Sequence, residues 1–256
     1  MIMTLNTHNN DALLLVDIGN SNLKWTWLEN GQMSRLESRG YQADGVAAQA
    51  YHAWSHVSKP VRVIVANVAG KQVADQLQQW VVTEWGIEPE FVVATSEELG
   101  VKNAYREPGL LGVDRWLALI AAREQTQSSA CVMDCGTAIT IDVLSSEGQH
   151  QGGLILPGLS MMRQAMLDRT QIPRIGESDS IDLLAQDTAG AIAAGSLHAA
   201  AALVERVMLD LAASEGSRPR LILTGKDASR LNEVLKIDAM LEPELVMHGL
   251  ALVAQK

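Results

Sequence analysis

Apolar positions along the chain come in short blocks whose period changes from block to block. Leu13 to Val16 form a run that stops at Asp17-Ile18-Gly19-Asn20, and a second run begins at Leu23-Lys24-Trp25. Two such runs across a turn-forming segment predict a strand-turn-strand hairpin. Val61 to Val65 predicts another strand, Lys71 to Trp85 an amphipathic helix, and Glu90 to Ala94 a further short strand. From Gly112 to Arg123 the spacing of Trp116, Leu119 and Ile120 becomes helical.

The second half opens the same way. Ala130 to Met133 reads as a strand, Asp134-Cys135-Gly136-Thr137-Ala138 as a turn, and Ile139 to Leu144 alternates as a strand does. Asp17-x-Gly-Asn-Ser and Asp134-x-Gly-Thr-Ala lie 117 positions apart in 256 residues, which makes them a candidate internal duplication. Gly152 to Gly158 predicts a strand ended by turn residues, with a helix from Leu159 to Leu167 after it. Asp168 to Gln186, containing Pro173 and Gly176, is expected to be a mobile connection. Asp187 or Thr188 is placed to cap an alanine-rich helix reaching Ala213. Arg220 to Leu223 then predicts a strand, Thr224-Gly225-Lys226-Asp227 a turn, and Ala228 to Leu235 a helix. Strands and helices in both halves predict an α/β fold of two similar lobes, residues 1–125 and 126–256. A cleft is expected between the lobes, with the final helix able to pack back on the first.

Composition narrows the partners. With 47% hydrophobic and 20% charged residues the chain is an ordinary globular one, which excludes disordered and fibrous classes. Thirty acidic against 20 basic residues give a formal charge of −10, the wrong sign for collecting nucleic acid. An anionic substrate must then be met locally, by backbone N–H groups, a metal ion or a few placed cations. Met1 to Asp11 carries no Lys or Arg before an apolar run and does not read as a secretory signal. Ala189 to Val204, mostly Ala and Gly and broken by Ser196 and His198, is expected to be too short and too weakly apolar to span a bilayer. Cys131 and Cys135 fall on one predicted strand, roughly 13 Å apart and too far for a disulfide. A reducing compartment, the cytoplasm, is the expectation.

Three segments carry candidate chemistry. In Asp17-Ile18-Gly19-Asn20-Ser21-Asn22-Leu23-Lys24 a carboxylate ends an apolar strand and glycine and short polar residues follow. Turn N–H groups and short side chains suit phosphate oxygens while the carboxylate orients a hydrated magnesium ion; an ordinary Asp-Gly-Asn hairpin turn has the same composition. Asp134 to Thr140 repeats this logic with hydroxyls, although Thr137 and Thr140 are also good strand formers. At Gly112-Val113-Asp114-Arg115-Trp116 an adjacent acid and base stand at a helix start. There Asp114 either serves the helix dipole or takes a proton from a substrate hydroxyl while Arg115 fixes an anionic substrate. Neither a Gly-x-x-x-x-Gly-Lys-Ser/Thr loop nor a Gly-x-Gly-x-x-Gly fingerprint occurs.

Taken in order, Asp17-Ile-Gly-Asn-Ser, Tyr105 ahead of Gly112-Val-Asp-Arg115, Asp134-x-Gly-Thr-Ala, Gly152-Gly-x-Ile-x-Pro-Gly158, and Thr188 before Gly195 resemble the type III pantothenate kinases. These belong to the superfamily of actin, the Hsp70 ATPase domain and many sugar and acetate kinases. The resemblance implies actin-like, ribonuclease H-like lobes and ATP-dependent phosphorylation of the primary hydroxyl of pantothenate, the first committed step toward coenzyme A. By position it implies that Asp17, Ile18, Gly19, Asn20, Ser21, Asn22, Leu23 and Lys24 form the first ATP loop and that Thr137 is a second-loop contact. It makes Asp114 the proton acceptor, and Tyr105, Gly112, Val113, Asp114, Arg115 and Thr188 the pantothenate-binding positions. Asp134 matches the ligand of a monovalent cation, potassium or ammonium, and the family resemblance implies magnesium with ATP and a homodimer.

Plainer roles stand beside these: Tyr105 packing on Pro108, Thr188 as an N-cap, Cys135 as a small buried hydrophobe, and His198 as a structural residue. Two positions depart from the family pattern. Ser21 stands where threonine is common and keeps the hydroxyl. Lys226 stands where a second glycine is common, and a left-handed backbone there would strain a lysine. Two other readings use the same residues: a kinase of another small hydroxylated acid, and a non-catalytic regulatory ATP-binding relative of the Bvg accessory factor kind.

Overall fold

In a computed structural model, residues 11–173, 176, 178–215 and 218–256 are described. Residues 1–10 of the N-terminal stretch, and 174, 175 and 177 of the expected 168–186 connection, lie outside them.

Strand β1 (Leu13–Ile18) is apolar at every position but Asp17 and is buried from Leu14 onward. It pairs antiparallel with β2 (Asn22–Glu29), closing the expected hairpin, and parallel with β5 (Arg62–Asn67). β3 (Gln32–Met33) and β4 (Glu37–Gly40) both pair with β2, and β6 (Glu90–Phe91) pairs with β5. The helices α1 (Val46–Trp54) and α2 (Lys71–Trp85) pack on each other. Their apolar faces join the sheet in a core of Leu14, Val16, Leu23, Trp25, Val63, Val65, Leu77 and Val81. Trp54, fully buried, meets the rings of Trp25, Trp80 and Trp85 at 5.8, 5.6 and 6.0 Å. Two short strands, β7 (Glu97–Glu98) and β8 (Val101–Lys102), precede α3 (Val113–Gln125).

The second sheet repeats the opening of the first. β9 (Ala130–Cys135) pairs antiparallel with β10 (Ala138–Leu144), which pairs with β11 (His150–Pro157). On its other side β9 runs parallel to β12 (Arg220–Thr224), which pairs with β13 (Met240–Leu241). Between β11 and β12 come α4 (Leu159–Arg169) and α5 (Thr188–Glu215), and α6 (Ala228–Asn232) follows β12. α7 (Leu245–Ala254) ends the chain. Leu197, Ala200, Ala201, Val204 and Met208 of α5 pack with Cys131, Met133, Ile139, Ile141, Leu221 and Leu223 of the sheet.

The chain divides into two compact units that interleave in sequence. The first takes everything up to Leu99, Tyr105–Ala121 and Val246–Lys256; the second takes Gly100–Ala104 and Ala122–Leu245. Compared with continuous halves, the last helix joins the first unit and the segment 100–104 joins the second.

Two expectations about the helices need correcting. The alanine-rich helix extends well past Val204, and its 26-residue segment Thr188–Ala213 is long and apolar enough by composition to cross a membrane. Its face of Leu197, Ala200, Ala201, Val204 and Met208 is instead part of the second unit's core, and the charged Glu205, Arg206 and Asp210 lie off that face. α6 is also shorter than expected and ends at Asn232.

Candidate active site

The register of the first hairpin sets Asp17 opposite Lys24 and, across the parallel pair, beside Ala66. Asp17 is buried, with the Lys24 ammonium 3.4 Å from its Oδ2. Burial lifts its carboxyl above the usual carboxylate range, against the pull of the Lys24 charge and hydrogen bond. The Gly19 N–H donates to Asn22 O at 3.0 Å and closes the turn. Gly19 is not left-handed, and a Cβ there would meet only Asn22 O at 3.6 Å, so the turn itself does not demand glycine. Ile18 and Leu23 place their side chains in the core, and their backbone lies in the sheet, Ile18 opposite Leu23 and Asn67 and Leu23 also opposite Arg39. Asn20 is exposed, and Ser21, Asn22 and Lys24 are half-buried.

In the same unit, the Gly112 carbonyl accepts the Trp116 N–H at 3.0 Å and starts α3. Asp114 Oδ1 folds back onto the Arg115 N–H at 2.7 Å. A Cβ on Gly112 would stand 2.6 Å from that oxygen, so any other residue there would make the carboxylate shift from this position. Val113 is buried, and so is Arg115, only 6% exposed. The Arg115 Nη1 donates to the Tyr105 hydroxyl at 3.0 Å, with the guanidinium 5.8 Å from the Tyr105 ring centre. The Tyr105 ring is thus held by a cation, and it holds that cation in turn.

In the second unit, Asp134 is the last residue but one of β9 and Thr137 lies in the turn to β10; both are half-buried. The turn closes through Gly136 N–H to Ala138 O at 3.1 Å and is clasped by Gly158 N–H to Thr137 O and Asp227 N–H to Cys135 O, each 3.0 Å. Gly225, at φ +89, lies against Asp134 Oδ1 and the Cys135 backbone, and Gly158 lies against the Gly136 and Thr137 carbonyls; a Cβ would collide at either place. The left-handed residue of the 224–227 turn is therefore Gly225. Lys226 is exposed with an ordinary φ, so the strain expected there does not arise. Burial raises the Asp227 carboxyl, against the charges of Lys226 and Arg230.

The cysteines are free and buried; burial pushes the Cys131 thiol up to about 12 and raises that of Cys135 as well. Both are inert thiols at neutral pH. Asp187 caps α5, its Oδ1 accepting the Gly190 N–H at 2.9 Å, which leaves Thr188 as the exposed first helical residue. His198 bonds Ile181 O at 3.1 Å. Among the described residues no group of three or more His, Cys, Asp or Glu side chains gathers as a metal site.

The profile of the type III pantothenate kinases matches residues 13–210. The chain belongs to the type III pantothenate kinase family. Relatives bearing that name include one from Nitrosococcus oceani, 42% identical over 249 residues, covering 95% of this chain and 94% of the relative. Another from Nitrosospira multiformis is 34% identical, covering 96% and 92%. A third, from Burkholderia vietnamiensis, is 35% identical over 94% and 95%. Among solved structures, a Campylobacter jejuni protein described as a conserved Baf family transcriptional activator superposes with TM-score 0.61 at 23% identity, covering 94% of this chain and 97% of that one. The ethanolamine utilization protein EutJ of Carboxydothermus hydrogenoformans gives 0.54 at 14%, covering 97% and 92%. At these identities the likeness is one of fold: the actin-like α/β class expected from the sequence.

Within the family frame, the first unit holds Asp17 to Lys24, Tyr105 and Gly112 to Arg115, and the second holds Asp134, Thr137 and Thr188. Direct contacts join Asp17 to Lys24 and Tyr105 to Arg115. Sequence reading missed the segment 41–42, which bonds the first loop from 22 residues away and announces itself by no local pattern. It named the 224–227 turn but placed the left-handed position at Lys226, where the structure has it at Gly225.

Proposed function

We propose that this chain transfers the γ-phosphoryl group of ATP to the primary hydroxyl of pantothenate, giving 4'-phosphopantothenate at the first step of coenzyme A biosynthesis. The observation that carries this is the family match over 13–210, which spans every candidate residue from Asp17 to Thr188. Asp114 accepts the hydroxyl proton as the oxygen attacks the γ-phosphorus; the new P–O bond forms as the bond to the β-phosphate oxygen breaks, and ADP leaves. A primary alcohol is a poor nucleophile at neutral pH, so a positioned base and charge stabilisation supply most of the rate. The Gly112 turn supports this role, because the missing side chain leaves space for the half-buried Asp114 carboxylate at the start of α3.

Tyr105, Gly112, Val113, Arg115 and Thr188 bind pantothenate, whose carboxylate suits the rigid guanidinium of Arg115. Asp17 to Lys24 and Thr137 bind the ATP phosphates, and Lys24 contributes positive charge beside Asp17. Magnesium bound with ATP would neutralise phosphate charge, and the buried Asp17 carboxylate, beside Lys24, would orient such a hydrated ion held chiefly by the nucleotide. Asp134 would hold potassium or ammonium, screening the same phosphates. A Cβ on Gly225 would collide with Asp134 Oδ1, so the glycine leaves the carboxylate its place at this turn.

We further infer a cytoplasmic homodimer. Free buried cysteines fit a reducing compartment. The edge strand β11 exposes Leu154 and Ile155, at 43% and 66%, the kind of surface that a partner covers.

The decisive variant is Asp114→Asn. Turnover is expected to fall roughly 10²- to 10⁴-fold, with ATP affinity kept within about twofold. Full activity would remove Asp114 as the base. A panel of small alcohol acids, read by ADP release, checks the acceptor, and a higher kcat/KM for another acceptor would replace pantothenate.

A further inference from the structure

The first phosphate loop is held from outside by a segment that none of the roles above includes. β4 pairs antiparallel with β2 in a register that sets Gly40 opposite Asn22. The chain leaving β4 therefore runs beside Ser21, Asn20 and Gly19, and its donors meet three consecutive carbonyls. The Tyr41 N–H reaches Ser21 O at 3.4 Å, the Tyr41 hydroxyl donates to Gly19 O at 2.6 Å, and the Gln42 side-chain amide donates to Asn20 O. Tyr41 is 7% exposed in the first unit's core, and its own carbonyl accepts the Gly45 N–H at 2.8 Å, so its ring is fixed. Gln42 is exposed.

Peptide geometry makes this directional. The described peptide bonds are trans, and a planar trans peptide points its N–H opposite to its C=O. Drawing the Gly19 and Asn20 carbonyls toward residues 41 and 42 aims the N–H groups of Asn20 and Ser21 the other way. Successive N–H groups turned to one side form an anion-binding concavity. Rotating either peptide forfeits a bond from Tyr41 or Gln42.

We infer that Tyr41 and Gln42 are positioning residues for the nucleotide: a strap that fixes the direction of the Asn20 and Ser21 amides and so sets affinity for the polyphosphate without touching it. This rests on the assignment of Asp17 to Lys24 as the phosphate loop.

Tyr41→Phe removes one hydroxyl and keeps the packed ring, while Gln42→Ala changes an exposed side chain. Binding of a non-hydrolysable ATP analogue is measured by calorimetry on the full chain, with KM for both substrates and a melting curve for each variant. Losing one hydrogen bond of ordinary net strength corresponds to roughly a five- to tenfold weaker affinity. Tyr41→Phe is expected to show that loss and Gln42→Ala a smaller one, with pantothenate KM within about twofold and unfolding temperatures near the parent's. Unchanged analogue affinity in both variants overturns the strap. Equal losses for ATP and pantothenate alongside a lowered melting temperature also overturn it, since those report general loosening. Should Tyr41→Phe fail to fold, Gln42→Ala decides alone. A parent protein that binds no analogue overturns the loop assignment itself, and the strap with it.

Discussion

Asp17 is where folding and the proposed reaction pull in opposite directions. Burial raises its carboxyl above the ordinary value near 3.8, more than Lys24 lowers it. Between the unfolded and folded pKa values the native protein then binds more protons than the unfolded chain. Stability is therefore fullest below the unfolded value and declines as pH rises through the folded one. Asp17→Asn should accordingly melt higher than the parent at pH 7.5, with the difference shrinking toward pH 4, while turnover drops. Thermal melts across that range check it, and a lower melting temperature for the variant at pH 7.5 would contradict it. Asp17 and Asp114 were legible in the sequence because a carboxylate at a strand end or helix start stands out from the apolar run beside it. Tyr41 was not, because its partner is a carbonyl fixed only once β4 lies along β2.

Elements were readable in proportion to the periodicity they carry. α2 occupies Lys71–Trp85 as expected, because its apolar and polar residues segregate at helical spacing. α1 was missed: it is rich in alanine and starts at Gly45, φ 83, with no side-chain cap to announce it. β4 was missed because all four of its residues are exposed, so no alternation marks it. α7 is almost uniformly apolar and has no polar face. Its place in the first unit depends on Gly249, where a Cβ would run into the backbone of Leu117 in α3. Gly249→Ala must push the two helices apart, at a cost of about 1–3 kcal/mol. A denaturation midpoint lowered correspondingly, at unchanged slope, is the expected result; an unchanged midpoint would show that the helices can separate freely.

At the scale of the molecule, the α/β class was legible because two strand-turn-strand segments open two sheets of like plan, β1–β2 and β9–β10. The sequence left room for the final helix to join the first unit, whereas the passage of Gly100–Ala104 into the second has no local signal and depends on contacts far apart in sequence. A formal charge of −10 makes local placement of Lys24 and Arg115 matter more than any general field when the substrates are anions. The central claim is that this chain is a pantothenate kinase whose Asp134 serves a monovalent cation. The measurement that tests it most directly is ADP release with ATP, magnesium and pantothenate, run once with potassium and once with sodium as the sole monovalent cation. The account predicts release that depends on pantothenate and is faster in potassium. Equal rates in the two salts would contradict the role given to Asp134, and the lack of pantothenate-dependent release in both would contradict the assignment as a whole.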